Sequence, residues 1–457
     1  MALPATTVWE YRASATAANA NGGGFNSARG GTDYTLQDAA QLIPTDLACT
    51  TTSTTLTSAT FTFTDAMKGN LIHITNAGTG SHFVLGWYEI VSVGDAHTVT
   101  LDRSPTDGSS GVAGVGSVGG ALTGPTTASL TAMVAGNIAY MKAGTYTLGA
   151  SVACGTKSGS SFHDVGRLTW IGYKATRTDA PTGTDRPLIT GAFVTALGDY
   201  WSLSNLSFTS SLAANSTLTI GQTSGYNRLL NCSCVHSGNS NGLSIAHGNA
   251  FVKRCYFKAS AADTYAVTTD DTGLNTFLAC YFDGAAGGSG LLAKGSYSYV
   301  IGCIFDTVKK AIAIGDGASA TNEYHIINNT IWRATASAGS VGINDESTGG
   351  GYISDVSILG NIIQNQENGV LLRALDSSNI SDFNTYFGNG TAKTYVTVGA
   401  NDAAVNPALI DPANDNFTPV GILRGNGWPT VWDNSAVPVG WSEPGAVQPP
   451  AFTESAG

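Results

Sequence analysis

The chain has 457 residues and a formal net charge of −11, with 21 Lys and Arg against 32 Asp and Glu and no basic run. That balance excludes a nucleic-acid binder, and no apolar run approaches the ~20 residues of a membrane span. Only 12% of residues are charged, while 57 are glycine and 14 proline; with Thr, Ser, Asn and Ala filling most of the rest, this predicts an all-β protein of short strands and polar turns.

In chain order, "MALPATTVWEYRAS" (Met1 to Ser14) has neither the charged nor the apolar region of a secretory leader. Seven cysteines are an odd number for a closed disulfide set. Together these predict synthesis in a reducing cytoplasm. Residues 1–50 read as an N-terminal arm rich in Gly, Asn and Ala. Within 51–125, "GNLIHITNAGTGSHFVLGWYEIVSVGDAHTVTLDRSP" alternates apolar residues and reads as a small antiparallel β-module, followed by a glycine-rich linker, "DGSSGVAGVGSVGGALTGP". The linker contains Gly114-x-Gly116-x-x-Gly119, but no helix and no βαβ unit follow, which excludes a dinucleotide site. Phosphate-loop, H-E-x-x-H and G-x-S-x-G motifs are absent.

From 126 to 400 the chain repeats itself. Asn205, Asn231, Arg254, Ala279, Gly302, Asn329, Asn361 and Asn384 anchor copies roughly every 25 residues, the period of a solenoid or array. Two residues before the anchors stand Leu203, Leu229, Val252, Phe277, Val300, Ile327 and Leu359. One residue after them come Leu206, Cys232, Cys255, Cys280, Cys303, Thr330, Ile362 and Thr385, and three after them Phe208, Cys234, Phe257, Phe282, Phe305, Trp332, Gln364 and Phe387. Each copy reads as one strand with a buried face; the eighth, with Asp382 in an apolar slot, reads as a bulged or altered last coil. A second strand per copy is registered on Leu243, Val267, Leu291, Ile312, Val341 and Val370. With no helix between them, such strands stack only on their own copies, each coil adding about 4.8 Å.

Cys232, Cys255, Cys280 and Cys303 then share one inward position. At rung spacing their Cβ atoms stay about 4.8 Å apart, beyond the roughly 3.5–4.5 Å of a disulfide, and a linear stack does not wrap a tetrahedral zinc ion. They are read as free thiols that pack beside a ladder of aromatic rings. Cys49 and Cys154 stand alone.

These repeats resemble the right-handed parallel β-helix, or pectin-lyase-like, proteins. "MVAGNIAYMKAGTYTL" resembles their opening coil, "DRPLITGAFVTALGDYWSLSNLSF" the coil after it, and "NPALIDPANDNFTPV" with "EPGAVQP" their closing segment. Residues 401–457 are accordingly expected to form a C-terminal cap and a Pro-rich tail. The arm and β-module resemble the attachment ends of phage β-helix proteins. The family includes lyases, hydrolases, tailspikes and non-catalytic virion proteins, so the likeness specifies fold more than activity.

The chemistry-bearing residues gather at the ends of the second strands: His247; Asp270 and Asp271; Lys294; Asp316; Asp345 and Glu346; and Arg373. Carboxylates a rung or two apart would share a calcium ion, or serve as acid and base on a glycosidic bond. Lys294 or Arg373 would bind a uronate or take a proton from it. Strand ends also collect Asp and Lys simply because turns do. Polygalacturonase-like relatives carry N-T-D, D-D, G-H-G and R-I-K in that order; here "AHG" precedes "DD", and N-T-D, R-I-K and a pectate-lyase W-x-D-H are missing. No catalytic residue transfers by motif. His163, Asp164, Lys174 and Arg177 read as solvated loop residues, and His236 as either buried or surface. Tyr265, Tyr297 and Tyr324 read as exposed rings for a sugar or as rim packing.

The resemblance, the thiols and the missing leader imply a structural or binding protein of a phage-like virion, made in the host cytoplasm. Head decoration, head fibre, and tail fibre or spike are the roles this covers. Its partners would be other virion proteins, two further copies in a parallel homotrimer and a host surface polysaccharide, with no organic cofactor, nucleic acid or membrane. The alternative is a polysaccharide lyase or glycoside hydrolase, including a tailspike depolymerase, using the charged strip. An extracellular or cell-surface adhesin is the third reading.

Overall fold

A computed structural model of the chain describes residues 3–41, 43–153, 158–161, 163–191, 194–212, 215–221, 225–270, 273–284, 287–315, 321–347, 353–373, 377–397 and 399–419. They form two compact units. The fold is nearly all β; among the described residues the α-helix is the single turn-and-a-half Thr127–Ala132, and no helix is long and apolar enough to cross a membrane.

The first unit comprises Met1–Leu148, Val152–Ile189 and Tyr200–Leu206. Strands Leu47–Cys49, Thr55–Thr57, Leu71–Asn76, Gly86–Asp95, Thr98–Leu101 and Gly111–Val118 close an antiparallel barrel around Leu56, Phe63, Ile72, Ile90 and Val99. The stretch read as a glycine-rich linker therefore supplies a barrel strand. Its glycines answer to the Phe83 ring: a Cβ at Gly114 would lie 2.6 Å from a ring carbon, and one at Gly111 2.8 Å. Composition alone does not separate a strand pressed against a ring from a flexible linker.

Nor is the start of the chain only an arm. Val8–Tyr11 pairs in parallel with Ile138–Lys142, followed by Leu168–Tyr173 and Trp201–Ser204. Trp9, Ala139, Trp170 and Leu203 make one fully buried column, and Trp170 and Trp201 meet edge to face at 6.1 Å. Glu10, also fully buried, is neutralised rather than solvated. Arg12 donates to it at 3.0 Å and Arg177 at 2.8 Å, and Arg177 also reaches Asp33 at 3.0 Å and Thr35 at 2.9 Å. Arg177, expected to be solvated, thus ties the start of the chain to its own coil.

The second unit comprises Gly149–Ser151, Thr190–Asp199 and Ser207–Gly457. It is a parallel β-helix with three strands per coil. In one coil Phe251–Lys253 belongs to the first sheet, Tyr256–Ala259 to the second and Tyr265–Thr269 to the third, and each pairs in parallel with its counterparts one coil before and after. What reads in sequence as one strand is two, bent at the anchor. Asn231, Arg254, Ala279 and Gly302 have φ of 54°, 53°, 53° and 61°. The left-handed bend is why Val252 and Cys255, three residues apart, both point inward.

In the later coils the bend falls at Asn328, Gly360 and Phe383, one residue before the anchors read from sequence. Pairing of Ile304 with Thr330 and of Thr330 with Ile362 fixes this register. The inward residues are therefore Asn329, Asn361 and Asn384, followed by Ile331, Ile363 and Tyr386. The expected bulge at Asp382 is this one-residue slip, which inverts every side chain it touches; Ser381 is the inward residue there.

The register extends the cysteine wall into a ladder of bonds from one coil to the next. Cys232 N–H donates to Cys255 Sγ, and Cys280 N–H to Cys303 Sγ, each at 3.4 Å. Cys303 N–H then donates to Asn329 Oδ1 (2.8 Å), Asn329 N–H to Asn361 Oδ1 (2.9 Å), Asn361 N–H to Asn384 Oδ1 (2.9 Å) and Asn384 N–H to Asp402 Oδ1 (2.8 Å). Asp402, ion-paired to the buried Lys393, ends the series. The thiols are free, as expected, and burial pushes Cys255 and Cys280 well above the usual thiol range. Beside them Phe282 and Phe305 stack at 4.4 Å, and Phe257 packs tilted on Phe282 at 5.3 Å. Cys49 is buried in the barrel, and Cys154 and the Pro-rich tail lie outside the described residues.

The C-terminal cap includes a strap. Phe417 is fully buried on the outer side of the second sheet, packed with Tyr256, Tyr281, Ile304 and Trp332.

Candidate functional site

The charged strip exists with altered membership. Leu243, Val267, Leu291, Ile312, Ile343 and Val370 are in register; Val341, expected in that column, lies opposite Lys310 instead. One position past the inward end of each strand therefore stand Asp270, Lys294, Gly315, Glu346 and Arg373.

Asp345 belongs to the interior column, paired with Ile314 and 6% exposed. Its carboxylate accepts Ser347 N–H at 2.7 Å, the Ser347 hydroxyl at 2.5 Å and Arg373 N–H at 3.3 Å, so it closes the turn and faces no solvent. Glu346 turns outward onto Lys310 (2.5 Å), Asn344 Nδ2 (2.7 Å) and the Tyr265 hydroxyl (3.1 Å). Burial opposes its ionisation, but Lys310 and the two hydrogen bonds outweigh that and hold the carboxyl below its usual range. It is thereby an anion at neutral pH, not a general acid. The Tyr265 phenol is pushed up by burial and by that anion.

Asp270 and Arg373 are exposed and Lys294 is half-buried; none of these three side chains makes an ion pair among the described residues. Asp271 and Asp316 lie outside the described residues. No cluster of three or more His, Cys, Asp or Glu suited to a metal ion occurs among the described residues. Asp270, exposed, and Lys294, half-buried, stand one rung apart at about 4.8 Å and are the oppositely charged pair the register brings together.

A different surface carries the aromatic rings. Arg228, Phe251, Thr276, Tyr299 and His325 form one outward column of the first sheet. Tyr299 and His325 stack at 4.6 Å with an interplanar angle of 19°, and the Tyr299 hydroxyl reaches Glu323 at 3.4 Å. Burial and the Glu323 charge raise the Tyr299 phenol. Two residues ahead of Arg228 and Tyr299 stand Tyr226 and Tyr297, 39% and 45% exposed. Leu230, Leu278 and Ile327 flank the column, half-buried. Of the rings proposed from sequence, Tyr297 is exposed, Tyr324 is 1% exposed and Tyr265 is bound to Glu346. Sequence reading missed Tyr299 and His325; the alternation in "SYSYVI", two tyrosines against Ser298 and Val300, was the available signal. His236 is fully buried, its Nδ1 3.0 Å from the Thr217 hydroxyl, and burial lowers its pKa.

No protein-family model matches the chain, and no curated protein does. Among solved structures, the chain is similar to the pectate lyase Pel9A, with 14% identity and a TM-score of 0.43 over 72% of this chain and 90% of that one. It is also similar to a PL6-family alginate lyase, with 11% identity and a TM-score of 0.29 over 71% of this chain and 57% of that one. The parallel β-helix of this chain rests on its own strand pairing.

Proposed function

We propose that this chain is a glycan-binding β-helix, a fibre, spike or decoration protein of a phage-like virion that holds a host-surface polysaccharide on the outer face of its first sheet without cutting it. The observation that carries the reading is the outward Tyr299–His325 stack with Glu323 and the exposed Tyr297 beside it, set among half-buried aliphatic residues, with Arg228 three coils earlier in the same column and the exposed Tyr226 two residues before it. Flat rings flanked by polar heads suit a sugar, whose ring faces are apolar and whose rim is hydroxylated. Of the carboxylates read as candidate acid and base, Asp345 is a turn cap and Glu346 is ion-paired, which takes both out of that role. The virion setting is supported by the reduced, buried thiols and by the sequence resemblance.

The test is retention of the protein by immobilised capsular, pectic and alginate polysaccharides. Wild type is expected to bind at least one, and Tyr297→Ala to weaken it about tenfold, the loss of roughly one stacking contact. Unchanged affinity in that variant removes the first sheet from the binding site.

Asp270 beside Lys294 favours a second reading, a lyase or hydrolase in which the exposed carboxylate and ammonium act on a uronate. Incubation of the purified protein with the same polysaccharides and calcium, followed by reducing-end and unsaturated-product assays, separates the two. Cleavage that Asp270→Ala and Lys294→Ala both abolish would establish the enzyme and overturn the non-cutting reading.

A further inference from the structure

The strap that carries Phe417 is held by more than its ring. The Tyr281 phenol, 5% exposed, lies 2.9 Å from Asp306 Oδ2 and 2.7 Å from Asp415 Oδ1. A phenol has one proton and donates it to one acceptor. With both carboxyls ionised, the second contact would set an oxyanion against a phenol lone pair. Two contacts of this length around one phenol therefore call for a second proton, placed so that one carboxyl donates to the phenol oxygen while the phenol donates to the other.

The surrounding charges agree. Asp283, on the same strand as Tyr281, is occupied by Lys258 Nζ and the Tyr256 hydroxyl, each at 2.7 Å. Asp306 Oδ1 accepts the Thr307 hydroxyl at 2.7 Å. From the next coil Arg333 approaches; its Nη1 is bound to the carbonyls of Thr307 and Val308 at 2.8 and 2.7 Å, so it offsets the Asp306 charge only at a distance, with no ion pair between them among the described residues. The strap itself adds Asp411, which Asn414 engages at 2.8 Å, and Asp415. Three carboxyls thus crowd Tyr281, and the nearest ammonium is committed to one of them. Burial, with Asp283 and Asp415 adding repulsion, raises the Asp306 pKa above the usual carboxylate range.

We propose that residues 409–418 form a proton-operated latch, closed on the second sheet while Asp306, Tyr281 and Asp415 share the extra proton and released when that proton is lost. The sign follows from linkage. A carboxyl whose pKa is raised in the closed state favours closure fully at acid pH, and that contribution disappears as pH climbs through the raised value. One linked proton loosens the latch by up to about tenfold per pH unit between the ordinary carboxylate pKa and the raised one, and the effect levels off above the raised value.

The experiment is hydrogen–deuterium exchange of the full chain from pH 5 to 8, corrected for intrinsic exchange and read on peptides covering 405–419. Wild-type protection should fall with rising pH, by up to about tenfold per unit. Asp306→Asn, whose amide donates to the phenol without titrating, should keep the strap protected and flatten the pH dependence. Asp415→Asn should flatten it too and serves if the first variant fails to fold. Tyr281→Phe should lower protection at every pH. A pH-independent wild type overturns the proposal, as does an unchanged slope in the folded Asn variants.

Discussion

At the bends between first and second sheets, one backbone dihedral decides which way every following side chain points. Asn231 and Gly302 adopt φ near +55 to +60° at little cost, whereas Arg254 and Ala279 do so against their Cβ atoms. Ala279→Gly removes that conflict, partly offset by the greater freedom of glycine in the unfolded chain. It should stabilise the second unit by about 0.5–1 kcal/mol, seen as a higher midpoint in thermal unfolding. The same dihedral explains what was hard to read. Asn329, Asn361 and Asn384 look like the turn residue Asn231 because asparagine serves both roles, as a left-handed bend and as a side-chain acceptor. Aligning them with Asn231 as anchors shifted three coils by one residue. In the third sheet the two-residue slip from Ile343 to Val341 kept the apolar parity, so nothing in the pattern betrayed it, and the expected site took in Asp345, an interior turn cap, together with Glu346.

At the scale of strands and ladders, stability is concentrated at the corners. The second-sheet rings press on a column of small residues that opens the third sheet. A Cβ at Gly290 would lie 2.4 Å from Ala311 O and 2.8 Å from the Phe305 ring. The asparagine ladder satisfies donors that a bent strand leaves unpaired. Asn361 accepts from Asn329 and donates to Ile326 O at 2.9 Å and Asn384 Oδ1 at 2.9 Å. Asn361→Leu matches its size but orphans those partners, and should cost about 2–3 kcal/mol in chemical unfolding, while the exposed Arg373→Leu should change stability by less than about 0.5 kcal/mol. The solenoid itself was legible because apolar parity repeats in every copy; the ladder was not, because a fully buried asparagine and a surface one look identical in sequence.

For the whole molecule, the decisive quantity is the native mass. A virion protein of this kind is expected at about three times 46.8 kDa in light scattering or native mass spectrometry. A monomer would turn attention to the free-standing enzyme and to Asp270 and Lys294. The corner ladder also has a direction, and direction has a consequence in time. Each acceptor in the described bonds from Cys232 to Asp402 sits on the segment that follows its donor. As the chain leaves the ribosome, each coil that donates one of these bonds therefore waits for the next before its corner is satisfied, and the last of them stays open until Asp402 emerges. Asp402 completes the ladder, so a message cut short before residue 402 would yield a stack of coils with an unfinished, sticky end.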